Sequence, residues 1–500
     1  MHSKAIFRRR HETISVDPDR HQQFVFSQRV WQFFVPSTSA CRRFQHHRVS
    51  GFGLHAGRRD HCSFNRFAQS ANGFTGSVTV SVSGFPNGID PSPTSPFTLS
   101  IGTPQQVTFS APEAAGTFSV AFQGVSGNLS HSANATLTVT PPPSPYLVSA
   151  SYYPWYVPAS WVYQDCINGA LREDLIPPEL PILGEYESAQ EDVVTQQIAW
   201  SAAAGVNVWD VEWIMPGDYL DTTIQNTILT NPHIGDIQFA MFYDYEIRFN
   251  ADNNLTPDKV AIIVSDFQYL AAHYFSHPSY LKVGRRPVVF FYAALQLTPI
   301  SAAQQMVASL RQAMSAAGFD VYLIGDEYYA LVPPDPTRIA NWDAIFGYNV
   351  YVSYAGYSDD NGYFALHSAM YSQYQAVAQQ LGVDFIPSIT PGDNDRAVRR
   401  ICADNPALAR RTSATAPEGS MFANFLNLSL PYASNSQLKM IHITSFNEWH
   451  EDTQIEPSAV TAPTTIDTSP TGLQYTQGLV YEGYGTTYLD ILRSGIAANH

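Results

Sequence analysis

From about residue 147 onward, short apolar runs alternate with amphipathic stretches, and this rhythm restricts the fold more than any other feature of the chain. The runs are L-V-S-A-S-Y-Y-P-W-Y near 147, V-N-V-W-D-V-E-W near 206, I-Q-F-A-M-F-Y-D-Y near 237, R-P-V-V-F-F-Y-A-A near 286, D-V-Y-L-I-G-D-E near 320, W-D-A-I-F-G-Y-N-V-Y near 342, V-D-F-I-P-S-I-T-P near 383 and K-M-I-H-I-T-S-F-N-E-W near 439. Between them lie helix-length segments such as S-A-A-Q-Q-M-V-A-S-L-R-Q-A-M-S-A-A-G, several closed by a glycine of the kind that ends helices. Eight strands alternating with helices over roughly 350 residues predict an α/β fold, the (β/α)8 TIM barrel, over 147–500. A doubly wound open sheet is the competing arrangement, but no glycine-rich phosphate loop follows the first strand.

A barrel carries its active site at the C-terminal ends of its strands, so polar and aromatic residues should gather there. The first run closes on Tyr152, Tyr153, Trp155 and Tyr156, the second on Asp210, Glu212 and Trp213, and the third on Tyr243, Asp244, Tyr245 and Glu246. Asp326 and Glu327 end the fifth, Tyr348, Asn349 and Tyr351 the sixth, and Asn447, Glu448, Trp449, His450 and Glu451 the eighth.

The front of the chain reads differently. Residues 1–68 hold 12 of the 27 Lys and Arg and 7 of the 15 His without a hydrophobic period, and are expected to be a disordered or non-native N-terminal extension. Residues 69–140 carry short Val/Thr/Ser/Phe alternations broken by Gly, Pro and Asn, the pattern of a small all-β immunoglobulin-like sandwich that serves as a spacer. The P-P-P-S-P run within 141–146 then predicts a semi-rigid linker.

The formal net charge of −16 argues against nucleic acid or an anionic membrane as partner, since both reward clustered Lys and Arg. With 28 Tyr, 29 Phe and 8 Trp, a neutral, hydroxyl-rich ligand fits better, because flat aromatic faces stack on sugar rings. Cys41, Cys62, Cys166 and Cys402 are too dispersed for a zinc pattern, so no metal and no cofactor is expected; Cys166 and Cys402 could form one bridge in an oxidising compartment. No run of apolar residues reaches membrane-spanning length, roughly 18 residues or more, and no signal peptide is visible. A monomer is the expected state, and an extracellular or periplasmic location is expected from the sandwich and a hydroxyl-rich ligand.

The chemistry concentrates at I-T-S-F-N-E-W-H-E-D-T-Q-I-E-P, residues 443–457. Two carboxyl groups suffice to cleave a glycosidic bond, one giving a proton to the leaving oxygen while the other acts as base or nucleophile. Glu448 and Glu451 stand three apart where the chain leaves a strand and curls, a spacing that brings both to one side. Two carboxylates close together in a partly dry site do not both ionise easily, so one should serve as the acid. Trp449 and His450 would exclude water and shape the field, and Glu456 is read as a structural loop residue.

The same segment closely resembles the signature S-F-N-E-W-H-E-G-T-Q-I-E of the endo-α-mannosidase family, glycoside hydrolase family 99. S-Y-Y-P-W-Y at 151–156, P-G-D-N-D-R-A-V-R at 391–399 and Y-G-T-T-Y-L-D at 484–490 are similar to its first strand, seventh-strand loop and closing helix. The resemblance implies a retaining, endo-acting hydrolase of α-mannosidic or α-hexosyl-mannose linkages. In it Glu448 is the base on the sugar's own 2-hydroxyl, giving a 1,2-anhydro sugar, and Glu451 is the general acid and then base. Tyr152 or Tyr153, Trp213 and Tyr348 would line sugar subsites, with Trp155, Asp244, Asn447, Trp449 and His450 as further binding residues. Two departures stand out: Asp452 replaces the family glycine, and F-Y-D-Y-E replaces a glutamate followed by Pro-Tyr, with Asp244 in the glutamate's place. A related protein that processes surface polysaccharide, and an inactive carbohydrate-binding barrel, are the alternatives.

Overall fold

Eight parallel strands close into a ring in the computed structural model: β1 (Leu147–Tyr152), β2 (Val208–Trp213), β3 (Gln238–Tyr243), β4 (Arg286–Phe291), β5 (Tyr322–Asp326), β6 (Ala344–Phe346), β7 (Asp384–Phe385 and Ser388–Ile389) and β8 (Met440–Ile443). The structure describes residues 146–498 apart from 162–168, 352–353, 397 and 399–405, together with strands and shorter stretches between residues 31 and 139. Each strand pairs with the next, from Ser149 opposite Val208 on β1–β2 to Ile389 opposite Ile443 on β7–β8. Ala150 opposite Ile443 then joins β8 back to β1. The strand β7 makes closure possible by dividing its labour: Phe385 lies opposite Ile345 of β6, whereas Ser388 lies opposite His442 of β8. Pro387, which has no N–H to give, sits at the break and accepts from the His442 N–H at 3.1 Å. The closed ring excludes the doubly wound sheet.

A helix follows every strand: α1 (Glu191–Ala204), α2 (Tyr219–Thr223), α3 (Pro257–His273), α4 (Ile300–Ala316), α5 (Pro336–Ile339), α6 (Tyr363–Leu381), α7 (Ser420–Ser434) and α8 (Thr487–Ala497). Their ends carry the expected signals. Asp218 caps α2 by accepting the Asp221 N–H at 2.7 Å, Thr256 precedes a proline at the start of α3, and α1 stops at Gly205, whose φ of +92° suits a residue without a Cβ.

The side chains of a strand alternate between the barrel interior and the helix layer, and this period decides which of them reach the site. Tyr152 stacks on Trp209 at 4.0 Å, and Trp213 on Tyr269 at 6.1 Å, so these point outward under the helices. Inside, Ser151 donates to Asp210 at 2.6 Å, His442 stands 3.2 Å from Asp210, and Phe346 packs on His442 at 4.8 Å. Each buried large apolar side chain contributes about 1.5–3 kcal/mol, which offsets placing this polar set in the interior. Gly325 in β5 is required by packing, since a Cβ there would lie 2.4 Å from the Trp342 indole.

The chain divides into two compact units, Met1–Pro142 and Pro143–His500. The first holds a five-stranded sheet ordered Thr38–Cys41, Leu129–Val139, Gly116–Ser126, Val78–Ser83, Phe97–Leu99, and a four-stranded sheet ordered Trp31–Phe34, His61–Ser70, Gln105–Ser110, Pro91–Ser92. Val78, Val80 and Val82 are buried between exposed neighbours, as the alternation in sequence predicts. Much of the expected 1–68 extension, most of the proline linker, Cys166 and Cys402 lie outside the described residues, although three strands before residue 69 or spanning it belong to these sheets. Among the described residues no helix is long and apolar enough to cross a membrane.

Candidate active site

The chain leaves β8 at Ile443 and returns on itself between Ser445 and Ile455. Ser445 N–H donates to the Thr453 carbonyl at 2.7 Å, Thr453 N–H to the Glu448 carbonyl at 3.2 Å, and Ile455 N–H to the Ser445 carbonyl at 3.1 Å. The Ser445 hydroxyl accepts the Glu448 N–H at 2.8 Å, and Asn394 from the loop after β7 donates its N–H to the Glu451 carbonyl at 2.7 Å. The backbone around both glutamates is thereby fixed from two sides. Their side chains enter one cavity of about 850 Å³ at the C-terminal mouth of the barrel.

The two carboxyl groups meet different surroundings. Glu448, almost wholly buried, accepts the His450 N–H at 2.8 Å on Oε1, and the His450 ring Nδ1 stands 3.3 Å from the same atom. The other ring nitrogen lies 2.8 Å from the Ser160 carbonyl and must be its donor, because a carbonyl only accepts. Burial alone would lower the His450 pKa, but the Glu448 charge, its hydrogen bond and the Ser160 carbonyl together raise it above the ordinary histidine value. Trp155 and Tyr156 flank the ring at 5.9 and 5.1 Å.

Glu451 is half-exposed to the cavity and is held by phenols. Tyr351 donates to Oε2 at 2.9 Å, Tyr348 reaches the same oxygen at 3.4 Å, and Tyr153 donates to the Tyr348 hydroxyl at 2.6 Å. Burial, reinforced in Tyr348 and Tyr351 by the Glu451 charge, pushes all three phenols well above their ordinary pKa, so they remain donors.

A third acidic feature lies beneath. Burial, then the neighbouring Asp244, hold the Glu212 carboxyl well above the usual range, and burial raises Asp244 itself to about 6. Asp244 also caps the short helix Tyr245–Arg248 by accepting the Ile247 N–H at 2.7 Å. No group of three or more His, Cys, Asp or Glu arranged to hold a metal occurs among the described residues.

Of the residues given catalytic or sugar-binding roles in the sequence, Tyr153, Trp155, Asp244, Tyr348, Glu448, His450 and Glu451 line this cavity. Four do not. Tyr152 donates outward to Gln197 at 2.6 Å, and Trp213 donates to Asp221 at 2.9 Å beneath α2. Asn447 is a brace that accepts the Tyr153 N–H at 2.8 Å and donates to its carbonyl at 3.0 Å. Trp449 is buried and donates to Glu456 at 2.7 Å, while Glu456 also accepts from Gln197 and Tyr186, the structural setting foreseen for it. The inward residue of β2 is Glu212, not Trp213, a distinction that the period of two within V-W-D-V-E-W carries. Phe242, Tyr292, Gln296, Tyr329 and Asn349 complete much of the wall; Tyr292 directly follows β4, Gln296 closes the short 3-10 helix Ala294–Gln296, and Tyr329 lies in the loop after β5, with no motif to single them out.

The sequence model of Glycosyl hydrolase family 99 matches residues 154–473, which include every one of these cavity groups but Tyr153. The chain belongs to glycosyl hydrolase family 99. It is therefore a glycosidase. Among the proteins similar to it, the glycoprotein endo-alpha-1,2-mannosidase of Rattus norvegicus is 23% identical over 347 residues, covering 63% of this chain and 68% of its own. The Xenopus laevis enzyme of that name is 26% identical over 281 residues, covering 55% and 57%. The solved family 99 endo-alpha-mannosidase from Bacteroides thetaiotaomicron aligns with 20% identity and a TM-score of 0.48 over 70% of this chain and 98% of its own.

Proposed function

We propose that this family 99 glycosidase is a retaining, endo-acting α-mannosidase-like enzyme that cleaves inside a polysaccharide or glycan through a 1,2-anhydro sugar. The observation that carries the reading is the pairing of two glutamates on one turn, aimed into one cavity but served by different partners. Glu448, beside the imidazole of His450, is placed to take a proton. Glu451, among neutral phenols and half-exposed, is suited to exchange one with a leaving group or water. The names of the mannosidase relatives support the substrate class.

In the first step Glu448 removes the proton from the 2-hydroxyl, O2 attacks C1, the bond from C1 to the leaving oxygen breaks, and Glu451 supplies that oxygen's proton. In the second step Glu451 takes a proton from water, the water oxygen attacks C1, the C1–O2 bond breaks, and Glu448 returns its proton to O2. The configuration at C1 is inverted twice and so retained. The test is incubation with α-mannans and capped N-glycan oligosaccharides, followed by mass spectrometry of the products and NMR of the first-formed anomer. Glu448→Gln and Glu451→Gln should each abolish release, and a substrate with the 2-hydroxyl methylated at the cleaved residue should survive intact. Cleavage of the methylated substrate at the normal rate would rule out the anhydro step; undiminished activity of the double variant would remove both glutamates from the reaction.

A further inference from the structure

The turn that carries Glu448 and Glu451 is backed by a buried group of charges that does not line the cavity. Arg172 Nε donates to Asp452 Oδ1 at 2.6 Å, and its Nη1 pairs with Glu179 and donates to the Glu482 carbonyl at 3.2 Å. Arg410 stands 3.9 Å from Asp452 Oδ2 and donates to the Gln454 carbonyl, while Gln454 Nε2 donates to Asp452 Oδ1 at 3.3 Å. The side chains of Arg172, Glu179, Arg410 and Asp452 are each exposed by 1% or less. Both guanidinium groups lie over the Tyr484 ring at 5.0 Å, and Arg410 also lies over Tyr488 at 4.4 Å. Arg172 and Glu179 follow β1, Arg410 follows β7, Asp452 follows β8, and Tyr488 belongs to α8, so the group ties four parts of the chain together.

Asp452 is the member next to a proposed catalytic residue, and its backbone is constrained. A φ of +53° is a conformation that a residue with a Cβ keeps only where its surroundings hold it. The peptide plane between Glu451 and Asp452 is fixed from both ends. Asn394 donates its N–H to the Glu451 carbonyl at 2.7 Å, and its own amide group is tied to the Tyr475 carbonyl at 3.0 Å and the Tyr481 hydroxyl at 2.6 Å. At the other end the Arg172 pairing holds the Asp452 side chain. Turning that plane, and with it the direction in which Glu451 leaves the backbone, requires both attachments to give way. A displacement of about 1 Å at a reacting group costs on the order of a hundredfold in rate.

We propose that Asp452 is a positioning residue for Glu451: its ion pair with Arg172, supported by Arg410, fixes the peptide that aims the general acid at the leaving oxygen. The proposal rests on the reading of Glu451 as that acid.

The leaving group separates proton delivery from everything else the enzyme does. A sugar alkoxide needs the Glu451 proton as the bond from C1 breaks, whereas dinitrophenolate departs with the same electron pair as a stable anion and needs none. The test compares an α-mannan oligosaccharide with the dinitrophenyl glycoside of α-mannobiose, both in single turnover with the full chain in excess. Asp452→Asn keeps the size and tolerates a positive φ but removes the charge. It should slow oligosaccharide cleavage about tenfold, with KM and dinitrophenolate release changed by less than about twofold. Arg172→Lys, which replaces the fork by a point charge, should give the same pattern, and the double variant should be no slower than the worse single one, because both act through one link. Thermal unfolding shows which variants fold, and Arg172→Lys carries the comparison if Asp452→Asn does not.

Equal loss on both substrates, a change confined to KM, or losses that multiply in the double variant would overturn the positioning role. Glu451→Gln distinguishes this from a failure of the underlying reading. If it loses the oligosaccharide and keeps dinitrophenolate release while Asp452→Asn shows no such split, the acid stands and the positioning role falls. If Glu451→Gln itself shows no split, the assignment of the acid falls and the proposal with it.

Discussion

His450 grips Glu448 twice, through its backbone N–H at 2.8 Å and its ring at 3.3 Å, both on Oε1. The ring is also anchored to the Ser160 carbonyl, and its pKa lies above the ordinary value, so its cationic form is favoured beside the proposed base. Replacing it by glutamine keeps a donor but removes the charge. His450→Gln should move the acid limb of the kcat/KM profile to higher pH and lower the rate near neutrality by about tenfold, since one unit corresponds to 1.36 kcal/mol. The His450 pairing also bears on stability. With a folded pKa above the unfolded one, its contribution is fully present below about pH 6.5 and is lost as pH rises through the raised value.

Tyr351 donates to Glu451 Oε2 at 2.9 Å, and hydrogen bonds to a carboxylate favour its ionised form. The proposed acid, which must be protonated to act, is therefore restrained by this donor. Tyr351→Phe should shift the alkaline limb of kcat upward while lowering the maximum several-fold through looser positioning, because a hydrogen bond to a charged group contributes about 1.5–3 kcal/mol. A pH profile whose limbs stay fixed would show that Tyr351 acts on geometry alone.

Asp452 follows Glu451 directly and adopts a φ of +53°, the left-handed region that favours glycine. What holds an aspartate there is Arg172, whose Nε donates to Asp452 Oδ1 at 2.6 Å, with Arg410 at 3.9 Å from Oδ2 and all three side chains buried. Glycine at this position would relieve roughly 1 kcal/mol of backbone strain, but it would leave Arg172 with one acid fewer, a loss of about 3–5 kcal/mol for a broken buried pair. Asp452→Gly should thus be less stable by about 2–4 kcal/mol, the difference of those two effects, in denaturant titration. Asp452→Gly combined with Arg172→Leu should recover part of that loss.

Legibility differed by the distance over which a feature is built. The barrel was readable because each strand and helix announces itself locally, as the V-W-D-V-E-W run and the Gly205 stop do. The turn that carries Glu448 and Glu451 was readable because the two are neighbours in sequence. Face assignment was readable in principle, yet Tyr152 and Trp213 drew attention as large aromatics at strand ends while the period of two sends them outward. The Arg172–Asp452 pair joins residues 280 apart, and the Asn349–Tyr292 bond residues 57 apart, so neither leaves a local mark. Only closure of the ring brings such groups together.

Glu327, at the end of β5, is buried and accepts the Trp342 indole N–H at 2.8 Å on one oxygen. Burial raises its pKa to about 7, above the range of an unfolded glutamate. The folded chain therefore binds this proton where the unfolded chain has already released it, and stability falls as pH rises from about 4.5 through 7. Glutamine keeps the oxygen that Trp342 needs and has no proton to lose. Glu327→Gln should match the parent protein at pH 4.5 and exceed it at pH 8.5 by up to about 3 kcal/mol, the free energy of a shift of that size. Urea titrations of the two proteins at both pH values decide the matter: equal stabilities at pH 8.5 would mean that Glu327 ionises inside the fold at no cost.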